Sequence, residues 1–411
     1  MAKASNRAEF IGKSPEKNSR RVPVGDGIAE KDLRHWRLLE TFQDAVERVY
    51  SKATLHPSLC DRTRKVTYGR YLSLFLFGLF NPVIETMRGL CSVSALERVQ
   101  QEVCGRRISL ASFSEMQHVI DPGLMRAVFQ DLVEHTDSSY KPDGRLAQLR
   151  VTAQDGSLWR ALPRMAWAEY GVGADGQAKG VRLHLRFNII TGQPEDAKVD
   201  RGKSCERKAL REMCVPGQIN VADRFYGEDY QLFSDVDQVG ASFVFRIKDN
   251  AVVNVEEEIA LTAEDRAAGV VRHVWVTLGA TEAKRSMRLR LVEIRIPGQH
   301  LLLVTNLPVA KASAGLVGLI YRKRWDIELF FRWIKCILGC RHLFAESREG
   351  VAIQLYLALI ASLLFQYYTG RRPNKRSMEL IQMHLMGWAS TEELAALLEK
   401  QLQPAGSAKK A

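Results

Sequence analysis

Residues 316 to 338, GLVGLIYRKRWDIELFFRWIKCI, bury their apolar side chains and expose their charges only if they coil into a helix. At about 100° per residue, Ile327, Phe330, Ile334, Ile337 and Leu338 gather on one side. Tyr321, Arg324, Glu328 and Lys335 fall within an arc of roughly 60° on another. One face is offered to a core and one is left to present. Asp326 serves as the control: it lies roughly 160° around from Glu328, so a single carboxylate shares the cationic face.

A carboxylate among an arginine, a lysine and a phenol suits a phosphodiester held with a divalent metal. The acid would hold the ion, the cations would take phosphate oxygens, and the phenol would donate a further hydrogen bond. The alternative is a solvated helix face with an i,i+4 pair from Arg324 to Glu328, worth about 0.2–0.5 kcal/mol. One helix cannot supply a two-metal site, so other acids are required.

Two stretches offer them. LRVTAQDGSLWRALP reads as a strand with Leu149, Val151 and Ala153 alternating and Asp155-Gly156 at its end, and VRLHLRFNIITG and EDAKVDR read as the next strands of the same sheet. GQINVADRFYGEDYQLF places Ile219 and Val221 before Asp223 and then turns helical through Tyr226, Tyr230 and Phe233. An acid at the carboxyl end of a buried strand is where α/β sheets put chemistry. Read without further context, Asp155 is a turn residue and Asp223 a helix cap; Asp229, Asp235 and Asp237 compete for the second role from helical or loop settings. Three carboxylates, Asp155, Asp223 and Glu328, would present hard oxygen donors that suit Mg²⁺ or Mn²⁺ rather than zinc.

Composition narrows the partner. A net charge of +12 with 46% hydrophobic residues describes a chain with a large core and an affinity for polyanions, nucleic acid before a membrane surface. Seven cysteines without CxxC pairs point to reduced thiols in a cytosolic protein. Cys336, Cys340 and His342 fall one ligand short of a structural zinc site. The apolar run VAIQLYLALIASLLFQYY, interrupted by Gln354, Ser362 and Gln366, reads as a buried core helix, so no membrane partner is expected.

Along the chain, residues 1 to about 25 lack apolar content and an h-region, and read as a flexible basic arm. Leu33, Trp36, Leu39, Phe42, Val46 and Tyr50 then recur at helical spacing, opening an all-helical region with Arg62, Arg64, Lys65, Arg70, Arg106 and Arg107 among its basic residues. HTDSSYKPDGR, from 135 to 145, is a cluster of turn formers at a boundary. VVRHVWVTL, SMRLRLVEIRI and HLLLVTN are β-rich, and Trp275 within them reads as a core residue.

The spacing Tyr, two residues, Arg, three residues, Glu, six residues, Lys resembles the Y-(2)-R-(3)-E-(6)-K signature of IS4-type transposases, and the flanking LLLVTNLP and FAESREGVAIQLYLALIASLL resemble that family as well. Its first acid sits in an xDGS context like that of Asp155, and its second in a phrase like ADRFYG. The resemblance implies a DDE enzyme of α/β class: a ribonuclease H-like mixed sheet flanked by helices, interrupted by a β-rich insertion and preceded by an all-helical domain. It implies a helical DNA-binding domain with its basic arm over 1–140, core segments at 146–250 and 311–370, the insertion at 251–310, and a basic helical tail at 371–411. It further implies that Asp155, Asp223 and Glu328 bind two Mg²⁺ or Mn²⁺ ions, and that Tyr321, Arg324 and Lys335 bind DNA phosphate. The implied partners are double-stranded DNA, at element ends and target, and a second copy in a homodimer on DNA; the implied location is the cytoplasm, with the nucleoid. A tryptophan that some relatives place before the TN-like motif has no counterpart in LLLVTN, which His300 precedes. A nuclease of the same fold that cuts without joining, and a transposase remnant that only binds DNA, are the rival readings.

Overall fold

β1 (Val151–Arg160) is the strand from which the sheet grows in both directions. The computed structural model describes residues 37–61, 63–81, 83–135, 144, 146–171, 178–282 and 285–400. The basic arm, Leu33, Trp36, Arg62, most of the boundary cluster and the last residues of the tail lie outside them. The chain divides into two compact units, one made of Met1–Ser139 with Trp333–Ala411 and the other of Tyr140–Arg332.

In the second unit the strands after β1 are β2 (Glu169–Gly171), β3 (Ala178–Asn188), β4 (Gln193–Arg201), β5 (Ile219–Ala222), β6 (Ser242–Arg246), β7 (Val253–Glu258), β8 (Val270–Leu278), β9 (Leu289–Ile296) and β10 (Gln299–Thr305). They form one mixed sheet in the order β2-β3-β1-β5-β6-β10-β9-β8-β7, with β4 also on β3. β1, β5 and β6 are parallel neighbours, and the remaining pairings are antiparallel. Strands β7 to β10, read from sequence as the insertion at 251–310, continue this sheet, joined to it where β10 pairs with β6.

Helices cover both faces, and alternation along the strands assigns them. Ala222, Phe243 and Phe245 pack with Leu210 of the helix Glu206–Met213 and with Leu232, Phe233 and Val236 of the helix Tyr230–Gln238. The opposite face, with Ala153, Val221 and Val244, meets the helices Ala314–Lys323 and Trp325–Arg332.

The stretch 316–338 is not one helix. It comprises Ala314–Lys323, Trp325–Arg332 and a π-helical turn, Trp333–Ile337. The joint is Arg324, whose amide donates to the Tyr321 carbonyl at 3.0 Å and whose carbonyl accepts from the Ile327 amide at 3.2 Å. These i to i+3 closures tighten the coil locally, so the arithmetic of 3.6 residues per turn holds within each segment and not across all three.

The first unit is helical. Its centre is Arg348–Thr369, long and apolar enough to cross a membrane by length and composition, yet 94% buried inside the protein over that window. The helices Arg37–Tyr50, Tyr68–Phe80, Leu110–Val119 and Pro122–His135 pack around it. Its polar residues are satisfied within the core, as buried polar groups must be: Gln354 donates to the His342 carbonyl at 2.8 Å and accepts from the Phe344 amide at 2.8 Å. Ser347 caps the start, and Gly370, at φ 64°, closes the end in the left-handed region that glycine tolerates. All seven cysteines are free thiols.

Candidate active site

Parallel pairing delivers two acids to one place. Val151 sits beside Ile219 and Ala153 beside Val221. Two residues further along each strand come Asp155 and Asp223, and the period of two sends both from the face that carries Ala153 and Val221. Asp155 lies inside β1 rather than at its end, contrary to the sequence reading. β3 stays paired alongside from Thr152 to Arg160, and this ladder leaves Asp155-Gly156 no room to turn. Asp223 does follow the last residue of its strand. Its Oδ1 accepts the Phe225 amide at 2.9 Å, while the cap of the following helix is Asp229, which accepts from the Leu232 amide at 3.3 Å.

The third acid arrives on the helix Trp325–Arg332. Phe331 meets Trp159 edge-on at 6.4 Å between ring centroids, and Phe330 meets Phe187 at 4.8 Å. Phe187 is the partner of Ala153 in the ladder, so this helix covers the face from which Asp155 projects.

The electrostatics of Asp155 link these elements. Burial lifts its carboxyl to about 6, Asp223 and Glu328 push the same way, and the Gly156 amide and Arg324 pull back. That amide donates to Asp155 Oδ1 at 2.8 Å. Asp223 after β5, Arg324 at the helical joint and Glu328 on the helix beyond it thus all act on the charge of Asp155.

Arg324 donates through Nη2 to Glu328 Oε1 at 2.6 Å, with the side chains 15% and 33% exposed. Burial opposes its charge, but Tyr321, Glu328 and Asp155 outweigh that cost and hold the guanidinium above its usual range. Tyr321 lies with its ring centre 5.9 Å from the same guanidinium. Its phenol is raised chiefly by burial, with Asp223 adding to the shift and Arg324 and Arg246 opposing it, so it remains a hydrogen-bond donor near neutral pH.

Lys335 belongs to the other unit, half-buried in the π-helical turn. Trp275 is half-buried beneath Arg288, at 4.7 Å, rather than in the core. Arg288 in turn bridges to Glu256 and Glu257, each at 2.9 Å.

Sequence reasoning missed the support on the opposite face. The Glu206 carboxyl lies 2.9 Å from where a Cβ on Gly156 would stand. Arg182 on β3 pairs with it, and the buried Tyr226 phenol donates to it at 3.3 Å. Tyr226 is three residues beyond Asp223 and feels both Asp155 and Asp223 electrostatically. Glu206 thereby ties the segment after β5 to β3 and β1. The one hint in the sequence is Gly156, which admits the close approach that an alanine would block.

Among the described residues no three His, Cys, Asp or Glu side chains close on a common point as they stand. Asp155 and Asp223 each hold a backbone amide, and Glu328 is drawn to Arg324. The donor chemistry still fits a hard divalent cation. All three are carboxylates, and the raised Asp155 is one that negative neighbours and burial leave short of positive charge.

A family model described as the transposase DDE domain matches residues 147–364, a range that contains all six residues singled out above. The chain belongs to the DDE transposase family. Among insertion-sequence transposases it is 28% identical over 218 residues to the probable transposase for insertion sequence element IS5377 of Geobacillus stearothermophilus, covering 53% of this chain and 56% of that one. It is 23% identical over 270 residues to the putative transposase for IS4SA of Synechocystis, covering 64% and 72%. A DDE transposase of the IS4-like group is what these likenesses describe. The chain spans little more than half the length of the first of these relatives. A solved piggyBac transposase synaptic complex with hairpin DNA aligns at a TM-score of 0.42 and 11% identity over 92% of this chain and 84% of that one.

Proposed function

We propose that the protein is the transposase of an insertion sequence, which binds the element's terminal inverted repeats in double-stranded DNA, cuts there and joins the freed end to target DNA. The observation that carries this reading is the parallel register that brings Asp155 and Asp223 to adjacent positions beneath the helix bearing Glu328. The fold is of the ribonuclease H-like kind, with β1, β5 and β6 as its parallel centre. Asp155, Asp223 and Glu328 would hold two Mg²⁺ or Mn²⁺ ions. When bound, such ions supply positive charge to the attacking and leaving oxygens of an in-line displacement.

The chain's own groups do the rest. Arg324 and Lys335 bind non-bridging phosphate oxygens, and the protonated Tyr321 phenol donates to another, so that the phosphodiester is held in register without any covalent bond to protein. Water cuts at the element end, and the released 3′-hydroxyl attacks a target phosphate, the same displacement run a second time. Two ends cut together call for a homodimer on DNA. Such an enzyme acts where chromosomal DNA lies, in the cytoplasm.

The test is cleavage and strand transfer with Mg²⁺ or Mn²⁺ on duplexes carrying the element's ends, for wild type beside Glu328→Ala and Asp326→Ala. Loss in the first with activity in the second is expected. Survival of both would remove Glu328 from the metal site. End binding with neither cutting nor joining in the wild type would leave a DNA-binding protein, and cutting without joining would leave a nuclease.

A further inference from the structure

A third strand adds a cation to the same row. β6 pairs in parallel with β5, Val244 beside Val221 and Phe245 beside Ala222. One residue on, Arg246 stands beside the position of Asp223, and alternation puts it on the face of Val244, Val221 and Ala153. Antiparallel pairing with Leu303 of β10 fixes its other side. Asp155 within β1, Asp223 just past the end of β5 and Arg246 at the end of β6 thus form a row across three adjacent strands, on the face covered by Tyr321 and Arg324. The Tyr321 phenol senses Arg246 as well as Arg324 and Asp223.

Two details separate Arg246 from an ordinary surface cation. Among the described residues its Nε is buried and has no hydrogen-bond partner, and Nη2 reaches the His300 carbonyl at 3.4 Å, a length at the weak end of the range. Its backbone is clamped: a Cβ on Gly227, in the turn that follows Asp223, would collide with the Arg246 carbonyl. Arg324 shares the first property, since its Nε is also buried without a hydrogen-bond partner among the described residues. Two guanidinium groups on either element flanking Tyr321 therefore keep unused N–H donors, and a buried donor left unpaired costs free energy that an anion would recover.

We propose that Arg246 is a phosphate-binding residue of this site, acting with Arg324 on the non-bridging oxygens of the DNA phosphate held at Asp155 and Asp223. The inference rests on the transposase reading and adds the sheet itself as a source of phosphate contact, where the sequence signature assigns only the helical stretch. A planar fork of N–H groups suits that role.

The test is a chemical double-mutant cycle. Duplexes of the element end carrying either the natural phosphate or an uncharged methylphosphonate at the cleaved position are bound to wild type, Arg246→Gln and Arg246→Lys, with Ca²⁺ present to prevent cutting. The neutral linkage is expected to weaken wild-type binding by at least about tenfold (~1.4 kcal/mol), to weaken Arg246→Gln distinctly less, and to leave Arg246→Lys between the two. Equal losses in wild type and both variants overturn the proposal, as does a wild type that does not distinguish the two linkages. An Arg246→Gln variant that melts early is replaced by Arg246→Lys, whose loss must still fall below that of wild type. If the wild type cuts the natural duplex while the losses are equal, only Arg246 is misassigned. A wild type that does not bind the end at all fails at the transposase reading instead.

Discussion

Arg324 holds Glu328 at 2.6 Å across one helical turn while both act on the charge of Asp155. In the proposed function the arginine serves a carboxylate and a phosphate in turn. Arg324→Lys keeps the charge but loses the planar fork, and end binding is expected to weaken by about tenfold, on the scale of one charge-assisted hydrogen bond. Filter binding or anisotropy at fixed salt measures it. Affinity equal to that of wild type would limit Arg324 to pairing with Glu328.

Asp155 makes a statement about pH. Its carboxyl titrates at about 6 in the folded protein against 3.8 as the ordinary value, so the native state holds the proton more tightly than the unfolded chain. Stability from this group is present at low pH and is lost as pH rises through about 6. Asp155→Asn is expected to melt higher than wild type at pH 7.5, by on the order of 2 kcal/mol, with the gap closing near pH 4. Differential scanning calorimetry across that window decides it; a gap that does not change with pH would show that the carboxylate carries no such penalty.

A divalent ion should reverse that penalty. Adding Mg²⁺ or Mn²⁺ at pH 7.5 is expected to raise the melting temperature of wild type and to leave Asp155→Asn close to its ion-free value, because bound cations stabilise only the state that binds them. An equal rise in both would place the ion elsewhere.

Histidine works in the opposite sense. His184 and His273 are both pushed down to about 4, chiefly by burial, with Arg182 and Arg290 respectively adding to it. The unfolded chain takes up their protons first, so stability is present above about 6.5 and is lost as pH falls toward 4. His184→Gln should flatten this acid limb. An unchanged acid limb in the variant would assign the loss to other groups.

Gly227 is the most demanding backbone position near the site. Gly227→Ala drives a methyl group into the Arg246 carbonyl and is expected to cost about 1–3 kcal/mol, with loss of end binding at temperatures where the protein is still folded. Retained binding with lowered stability would separate the clamp from the function.

The strands were readable because β-branched residues alternate in them, and the segment covering the sheet because its apolar residues recur at helical intervals. What local pattern could not contain was pairing. Asp155-Gly156 has the composition of a turn, and only the presence of β3 along its whole length keeps it extended. The break at Arg324 depends on two short-range hydrogen bonds that no side-chain period announces. Glu206 and Arg246 sit in unremarkable phrases, ERKAL and FVFRIKD, and become neighbours of the acids only through the sheet.

The parallel register of β1 and β5 also divides the chain into places where length is free and places where it is fixed. Residues between Arg160 and Ile219 can be lengthened or shortened in their loops without moving either acid, since both are counted from the paired residues Val151 and Ile219. A single residue gained or lost between Val151 and Asp155, or between Ile219 and Asp223, sends one carboxylate through the sheet to the side of Glu206. Distant relatives can then differ widely in overall length and still keep these two intervals of four residues unchanged.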